Sequence, residues 1–423
     1  MARPLILFLL LAVAGQLRSQ ADTTALSRLL SDYRLKVGIG LQSWATYTMG
    51  MEVYDPEAGG YRPVDDRLNM QLRRTRITLS GQPYTRLRYN FVTALDQLGS
   101  DVYAATVSGS SNGNTASFRI WNAWLHYRLS GRSDGLHLIA GYFVPPVGRE
   151  TATPALRSTS FEKAGSQYYL RRHLLNNGPG RAYGLMLAGQ QHLRDGRLHL
   201  TYEGALTNPA FTALGSTTSG ASYRPLLSAR LSVQIGNPEA PEYAVMRRVN
   251  YFGKRRGLTL SVTGGQQGAS DSFAENGVYG LEWLGNSGGW QVDGEYLWLR
   301  REGQDGDFRA RTGYLRVGKN IPLGRELILE PVISYWFFRG PTAPGEVSEA
   351  LRLDAFTGSD SGLDLGVNWY WNPDLRISLF YAQRRGGAAA GDPATTNNTY
   401  FQQAGVGSVR RGNYFGVGWI VVL

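Results

Sequence analysis

The 423-residue sequence contains no cysteine, which excludes disulfides, thiolate metal sites, cysteine nucleophiles and a lipoprotein anchor. Lysine is nearly missing too. Only Lys36, Lys163, Lys254 and Lys319 occur, so 40 of the 44 basic residues are arginine. Past the first 20 residues no run approaches the ~18 apolar residues that a membrane-spanning helix needs. The histidines are few as well. His126, His137, His173, His192 and His199 show no HExxH spacing, and nothing singles out a serine nucleophile. Gln304-Asp305-Gly306-Asp307 is acidic but lacks the twelve-residue EF-hand pattern. An enzyme, a cofactor and a metal site are therefore not expected.

What is present points elsewhere. In the last ten residues Phe415, Val417, Trp419, Val421 and Leu423 recur at period two, with Tyr414, Gly416 and Gly418 between them. A strand of this pattern can face lipid on one side and a lumen on the other. Hydrocarbon offers nothing to an unpaired N–H or C=O, so the strand must pair on both edges, most simply with the first strand of a closed barrel. These five residues are also the expected membrane-insertion signal, read by the barrel-assembly machinery. Arg3, the apolar run 5–14 and Ser19-Gln20-Ala21 have the form of a secretory signal peptide, expected over 1–21 with cleavage before Asp22 or before Gln20. A short N-terminal segment, 22–34, would precede a barrel spanning 35–423. The mean hydropathy of −0.27 fits a chain in which only alternate strand residues meet lipid. The 53 glycines, 24 tyrosines and 10 tryptophans fit turns and interfacial aromatic girdles.

Sixteen segments alternate in this way. They fall near 35–49, 68–80, 86–96, 118–129, 136–144, 181–190, 198–207, 226–235, 258–267, 278–284, 290–300, 312–321, 327–338, 363–371, 375–383 and 412–423. The expected fold is thus all-β: a transmembrane antiparallel barrel of about sixteen strands, in the outer membrane of a Gram-negative bacterium. Arg194-Asp195-Gly196-Arg197, Asn286-Ser287-Gly288-Gly289 and Asn372-Pro373-Asp374 read as compact periplasmic turns. The stretches 51–66, 97–117, 269–276, 340–359 and 386–405 read as extracellular loops. The segment 145–179 is long yet rich in Tyr, Phe, Leu and charge, and is expected to fold inward as a constriction.

Several motifs resemble those of the phosphate-selective porin O and P family. Leu72-Arg73-Arg74-Thr75-Arg76-Ile77 is similar to its Arg-Arg-Ala-Arg strand, and Gly141-Tyr142-Phe143-Val144-Pro145-Pro146-Val147-Gly148-Arg149-Glu150 to its Gly-Gln-Phe-Lys-Pro-Pro-Phe-Gly-Glu segment. Glu330-Pro331-Val332 with Tyr335 is similar to its Glu-Pro-Val-Ala-Arg-Tyr strand. Gly366-Val367-Asn368-Trp369-Tyr370 resembles its Gly-Leu-Asn-Tyr-Tyr hairpin. The matches run in order from Arg73 to the C-terminus. The resemblance implies a sixteen-stranded trimer that passes small anionic solutes.

A charge on the lipid face near the midplane costs about 2–4 kcal/mol, so Arg74, Arg76, Arg86 and Arg88 are expected to point into the lumen as an anion-attracting ladder. The alternative is that they pair with lumen acids such as Asp96, Glu282, Asp293 and Glu295 and only stabilise the wall. Arg149, Arg157, Lys163, Arg171 and Arg172 are the constriction-loop candidates, and Tyr168 and Tyr169 either line the aperture or pack the loop against the wall. Planar guanidinium forks suit oxyanions, although a general preference for Arg over Lys would produce the same count. The net charge of +11 is spread along the strands rather than clustered, which argues against nucleic acid as a partner. The function expected is a passive, anion-preferring porin. A plugged barrel serving as a structural or partner-binding subunit is the alternative.

Overall fold

The computed structural model describes residues 31, 33–103, 118–193, 196–210, 221–303, 306–324 and 326–423. The expected signal peptide and most of the short N-terminal segment lie outside them. Sixteen long strands form one closed antiparallel barrel. In chain order they are β1 Lys36–Met49, β2 Arg67–Tyr84, β3 Leu87–Leu98, β4 Phe118–Arg128, β5 His137–Phe143, β6 Ala182–Leu193, β7 Leu198–Thr207 and β8 Leu226–Gly236. They continue as β9 Gly257–Gln267, β10 Glu275–Ser287, β11 Trp290–Glu302, β12 Asp307–Lys319, β13 Leu327–Arg339, β14 Ser359–Asn372, β15 Leu375–Gly387 and β16 Asn413–Val422. Each strand pairs with its neighbours in sequence, and β16 closes on β1 from Gly40↔Val422 to Met49↔Asn413. No backbone edge is left for lipid to meet.

The burial pattern is inverted relative to a water-soluble sheet. On β8, Leu227, Ala229, Leu231, Val233 and Ile235 are exposed, while Ser228, Arg230, Ser232 and Gln234 are buried. The same alternation puts Phe415, Val417 and Trp419 outside on β16. Polar residues on alternate positions can be buried because the barrel interior supplies their partners.

One rim carries the tight connections and both barrel termini. Gly288 and Gly289 join β10 to β11 with φ of +55° and +86°, the left-handed pair that a two-residue hairpin requires. The sequence Gly285-Asn286-Ser287-Gly288-Gly289 spells Gly-x-Ser-x-Gly, but it is this hairpin and not the strand-to-helix elbow of a hydrolase. The opposite rim carries longer loops. There the hairpin Glu52–Asp55/Gly60–Pro63 pairs with Gly407–Arg410 in a small separate sheet.

Among the described residues, two segments enter the lumen. From the long-loop rim, residues 144–181 fold inward with two helices, α1 Arg149–Ala152 and α2 Ser166–Leu175. They reach far enough for Arg157 to pair with Asp374 at 2.6 Å in the tight turn of the opposite rim. From that opposite rim, residues 237–256 fold inward as well, a second entry that the sequence reading did not foresee. The two meet: Arg149 makes a bidentate contact with Glu239, and the Arg247 N–H donates to the Ala152 carbonyl at 3.1 Å.

The apolar core therefore lies inside the barrel. Tyr169, Leu170 and Leu174 of α2 pack on Leu297, Phe308, Trp336 and Phe338 of β11–β13, with the Tyr169 ring stacked on Phe338 at 4.1 Å. Phe161 stacks on Trp44 of β1 at 4.2 Å, and Tyr243 and Val245 join the inner face of β5–β7.

Candidate functional site

The inward loop is held by carboxylates on the wall it covers. Arg316 of β12 bridges Asp293 at 2.6 Å and Glu150 at 3.1 Å, all three fully buried. Arg230 of β8 lies between Glu203 and Glu282, and Glu282 also accepts the Gly148 N–H at 3.0 Å. Glu295 accepts the Glu150 N–H and the Ser166 hydroxyl. Glu330 accepts from Asn368, Tyr370 and Asn250. Of the acids expected to neutralise the ladder, Glu282, Asp293 and Glu295 thus serve the inward loop instead. Of these four acids, Asp96 alone pairs with the ladder, through both guanidinium arms of Arg76.

On the other side, between α2 and the inner face of β2–β4, the lumen stays hollow. A cavity of about 390 Å³ is lined by Arg73, Arg74, Arg119, Lys163, Arg171, Arg172, Arg181 and Arg411, against two acids among the described residues, Asp96 and Glu162. Both acids are engaged. Glu162 receives Arg73 at 2.6 Å, Arg74 and the Lys163 N–H at 2.8 Å. Burial opposes ionisation of Glu162, but the Arg73 and Arg74 guanidiniums outweigh it and hold the carboxyl at about 2. Among the described residues no carboxylate lies within ion-pair distance of Arg119, Arg171, Arg172 or Arg181. Arg171 is held in α2 against Gly180, where φ is +67° and a Cβ would collide with Arg171 Cδ. The indole of Trp121 lies between the guanidiniums of Arg76 and Arg181, each 4.2 Å from its centroid. Burial in this cationic setting pushes Arg171 down to about 10 and Lys163 down to about 7, the Glu150 carboxylate opposing the latter.

Each residue singled out in the sequence has a definite place. Arg74 and Arg76 point into the lumen, where Arg74 donates to Gln42 at 2.7 Å. Arg88 faces inward near the tight-turn rim and pairs with Glu242 of the second inward segment. Arg86 is not on a strand; it sits exposed in the two-residue turn between β2 and β3, because that hairpin closes one residue later than the alternation suggested. Arg149 and Arg157 are ion-paired struts of the loop. Lys163 donates to the carbonyls of Glu150 and Thr153 while lining the cavity. Arg172 donates to the Asn176 carbonyl, and Arg171 faces the cavity. Tyr169 packs the loop on the wall, whereas Tyr168 lines the cavity.

Sequence reasoning missed Arg73, Arg119, Arg181, Arg411 and Glu162. Arg73 faces inward together with Arg74 because β2 carries a bulge there: Gln42 pairs with Arg74 but Ser43 with Leu72. The Arg119 signal was available, since its neighbours Phe118 and Ile120 face lipid. Arg181 opens the alternating pattern of β6. Nothing in the local sequence marks Arg411 or Glu162.

No family profile matches the chain, and no curated protein matches it. Among solved structures the chain is similar to an anion-selective porin from Comamonas acidovorans. The two are 13% identical over 92% of this chain and 99% of that one, with a TM-score of 0.54. It is also similar to OprB of Pseudomonas putida, 9% identical over 95% and 97% of the two chains, with a TM-score of 0.53. At such identities the likeness is one of fold. It reaches porin barrels as a group and does not single out the phosphate-selective porin O and P family.

Proposed function

We propose that this chain is an outer-membrane porin, a passive water-filled channel that prefers small anions and performs no chemical step. The observation that carries this reading is the cavity beside α2, where eight basic residues face two acids already neutralised by arginines of the wall. Such a ring lowers the electrostatic barrier for an anion and raises it for a cation. Below the cavity, lumen-facing Thr78, Ser80 and Asn90 of β2 and β3 keep partial exposure, which supports a passage along this wall. The barrel that this one resembles in Comamonas acidovorans is an anion-selective porin. A cleaved signal peptide over 1–21, insertion through the β16 signal and a trimeric assembly belong to the same proposal. Arg74, Arg76, Arg119, Arg171 and Arg181 carry the selectivity, with Lys163 and Arg172 contributing, and phosphate is one candidate solute.

The experiment is single-channel recording of the purified barrel in planar bilayers under a KCl gradient. Open channels with a reversal potential on the chloride side are expected. A second reading is favoured by the contacts between the two inward segments, Arg149 with Glu239 and Arg247 with Ala152. If these segments seal the lumen, the barrel is a structural or partner-binding subunit, and the recordings would be silent.

A further inference from the structure

Among the described strand residues, the outward arginines of the long-loop rim gather at one place. On β11–β13, Arg300, Arg309, Arg311 and Arg339 are exposed and outward, and Arg385 of β15 joins them. Arg300 stands opposite Arg309, and Arg311 opposite Arg339. Like charges directly opposite on a sheet repel. Arg300 and Arg309 have local partners, Glu302 and Asp307. Among the described residues no carboxylate lies within ion-pair distance of Arg311, Arg339 or Arg385. Between Arg339 and Arg385 the facing strand β14 offers only Ser359 and Ser361, with Arg339 opposite Ser359 and Arg385 opposite Ser361.

A continuous aromatic belt starts at Trp298, the strand partner of Arg311, and runs below it, with the Tyr296 hydroxyl accepting from Arg311 at 3.4 Å. Tyr279, Trp298, Tyr296, Phe337 and Tyr335 contact one another in turn, with ring centroids 4.6 to 6.4 Å apart. At the other rim, Lys319 sits over Trp290 at 4.8 Å. Trp290 to Arg300 is ten residues of one strand, which at a tilt of about 40° spans roughly 25 Å of membrane normal. The arginines therefore sit at headgroup level, above a full-height apolar band. At the same rim, the outward positions of β1, β2, β4 and β6 hold Tyr47, Leu68, Met70, Phe118, Ile120 and Tyr183 instead.

We propose that Arg311, Arg339 and Arg385 bind the phosphate of an acylated, phosphorylated outer-leaflet glycolipid of the lipid A type. The Ser359 hydroxyl would lie alongside, with the acyl chains against the Tyr279–Tyr335 belt. A guanidinium fork takes two phosphate oxygens at once, and an anion between Arg311 and Arg339 would relieve the repulsion of that in-register pair. The orientation and location rest on the outer-membrane reading above; the site itself is independent of conduction.

The test uses the full-length folded barrel in detergent, titrated with bis-phosphorylated lipid A, with the same lipid stripped of phosphate, and with inorganic phosphate, and read by native mass spectrometry. We expect binding at least about tenfold tighter for the phosphorylated lipid than for its stripped form. The triple variant Arg311→Gln/Arg339→Gln/Arg385→Gln should lose about the same factor, and Arg256→Gln, exposed at the opposite rim, should lose none. If the triple variant does not assemble, Arg339→Gln alone serves, with a loss of about threefold. Equal binding of the two lipids, equal binding by the variants, or inorganic phosphate alone occupying the site would overturn the proposal. So would cross-links showing Arg339 covered by a second copy of the chain. A silent barrel that still discriminates the phosphorylated lipid would count against the porin reading only, and a conducting barrel that does not discriminate would count against this site only.

Discussion

The two halves of the lumen wall are built from the same strand chemistry and put to opposite uses. From β7 to β15 the inward residues are covered: Asp293, Arg316, Glu330, Ser334 and Asn368 have no solvent exposure, and Arg316 and Asn368 hold the inward loop through the Glu150 carboxylate and the Thr159 carbonyl. From β2 to β4 the cations outnumber the acids and face a cavity. A buried ion pair is costly to break and adds modest net stability, so the covered wall fixes the position of the loop. On the other wall, Arg119, Arg171, Arg172 and Arg181, which among the described residues have no carboxylate within ion-pair distance, attract anions. Charge alone does not distinguish the two walls. What distinguishes them is whether a carboxylate sits opposite.

That contrast can be broken from either side. The largest effect is expected from Arg316→Met, which leaves Asp293 and Glu150 buried without their cation. A loss of about 3–5 kcal/mol, read as a lower thermal transition, should accompany a severalfold larger and noisier single-channel conductance as the loop comes off its wall. On the open wall, the combined change Arg119→Gln/Arg171→Gln/Arg181→Gln should bring the chloride-to-potassium permeability ratio to about one, while the thermal transition falls less than in Arg316→Met, because Arg181 loses its Asn122 and Trp121 contacts but no ion pair is lost. Glu162→Gln should act in the opposite sense. It removes the carboxylate that Arg73 and Arg74 share, and anion preference should rise on the order of twofold in reversal-potential measurements at low salt. A smaller change should follow pH. Lys163 is cationic below about 7 and neutral above, so anion preference should decline modestly between pH 6 and 8 and the decline should vanish in Lys163→Met. Arg86→Gln, at an exposed turn, should leave selectivity where it was.

The barrel was legible because lipid enforces alternation. Leu227 to Ile235 on β8 and Phe415 to Trp419 on β16 cannot change faces without placing polar groups in hydrocarbon, so their period survives in the sequence. The inward loop was legible from its unusual mixture of aromatic and charged residues. Residues 237–256 were not: Glu239, Tyr243 and Arg247 read locally as a polar linker, and only distant partners, Arg149 and Glu203, draw them into the lumen. The site was legible in part for the same reason. Arg74 and Arg76 follow from strand alternation, whereas Arg73 depends on a bulge that pairing across β1 creates. Arg86 fell on the wrong side of a hairpin boundary, where one residue decides between wall and turn.

The absence of cysteine makes the central contrast directly measurable. Single variants Thr78→Cys on the open wall and Ser334→Cys on the covered wall, in folded protein reconstituted in bilayers, would be exposed to a charged methanethiosulfonate reagent. Fast modification at position 78 with a step in conductance, and none at position 334 while the loop is in place, is the outcome this account requires. Equal reactivity at both positions, or silence at both, would contradict it.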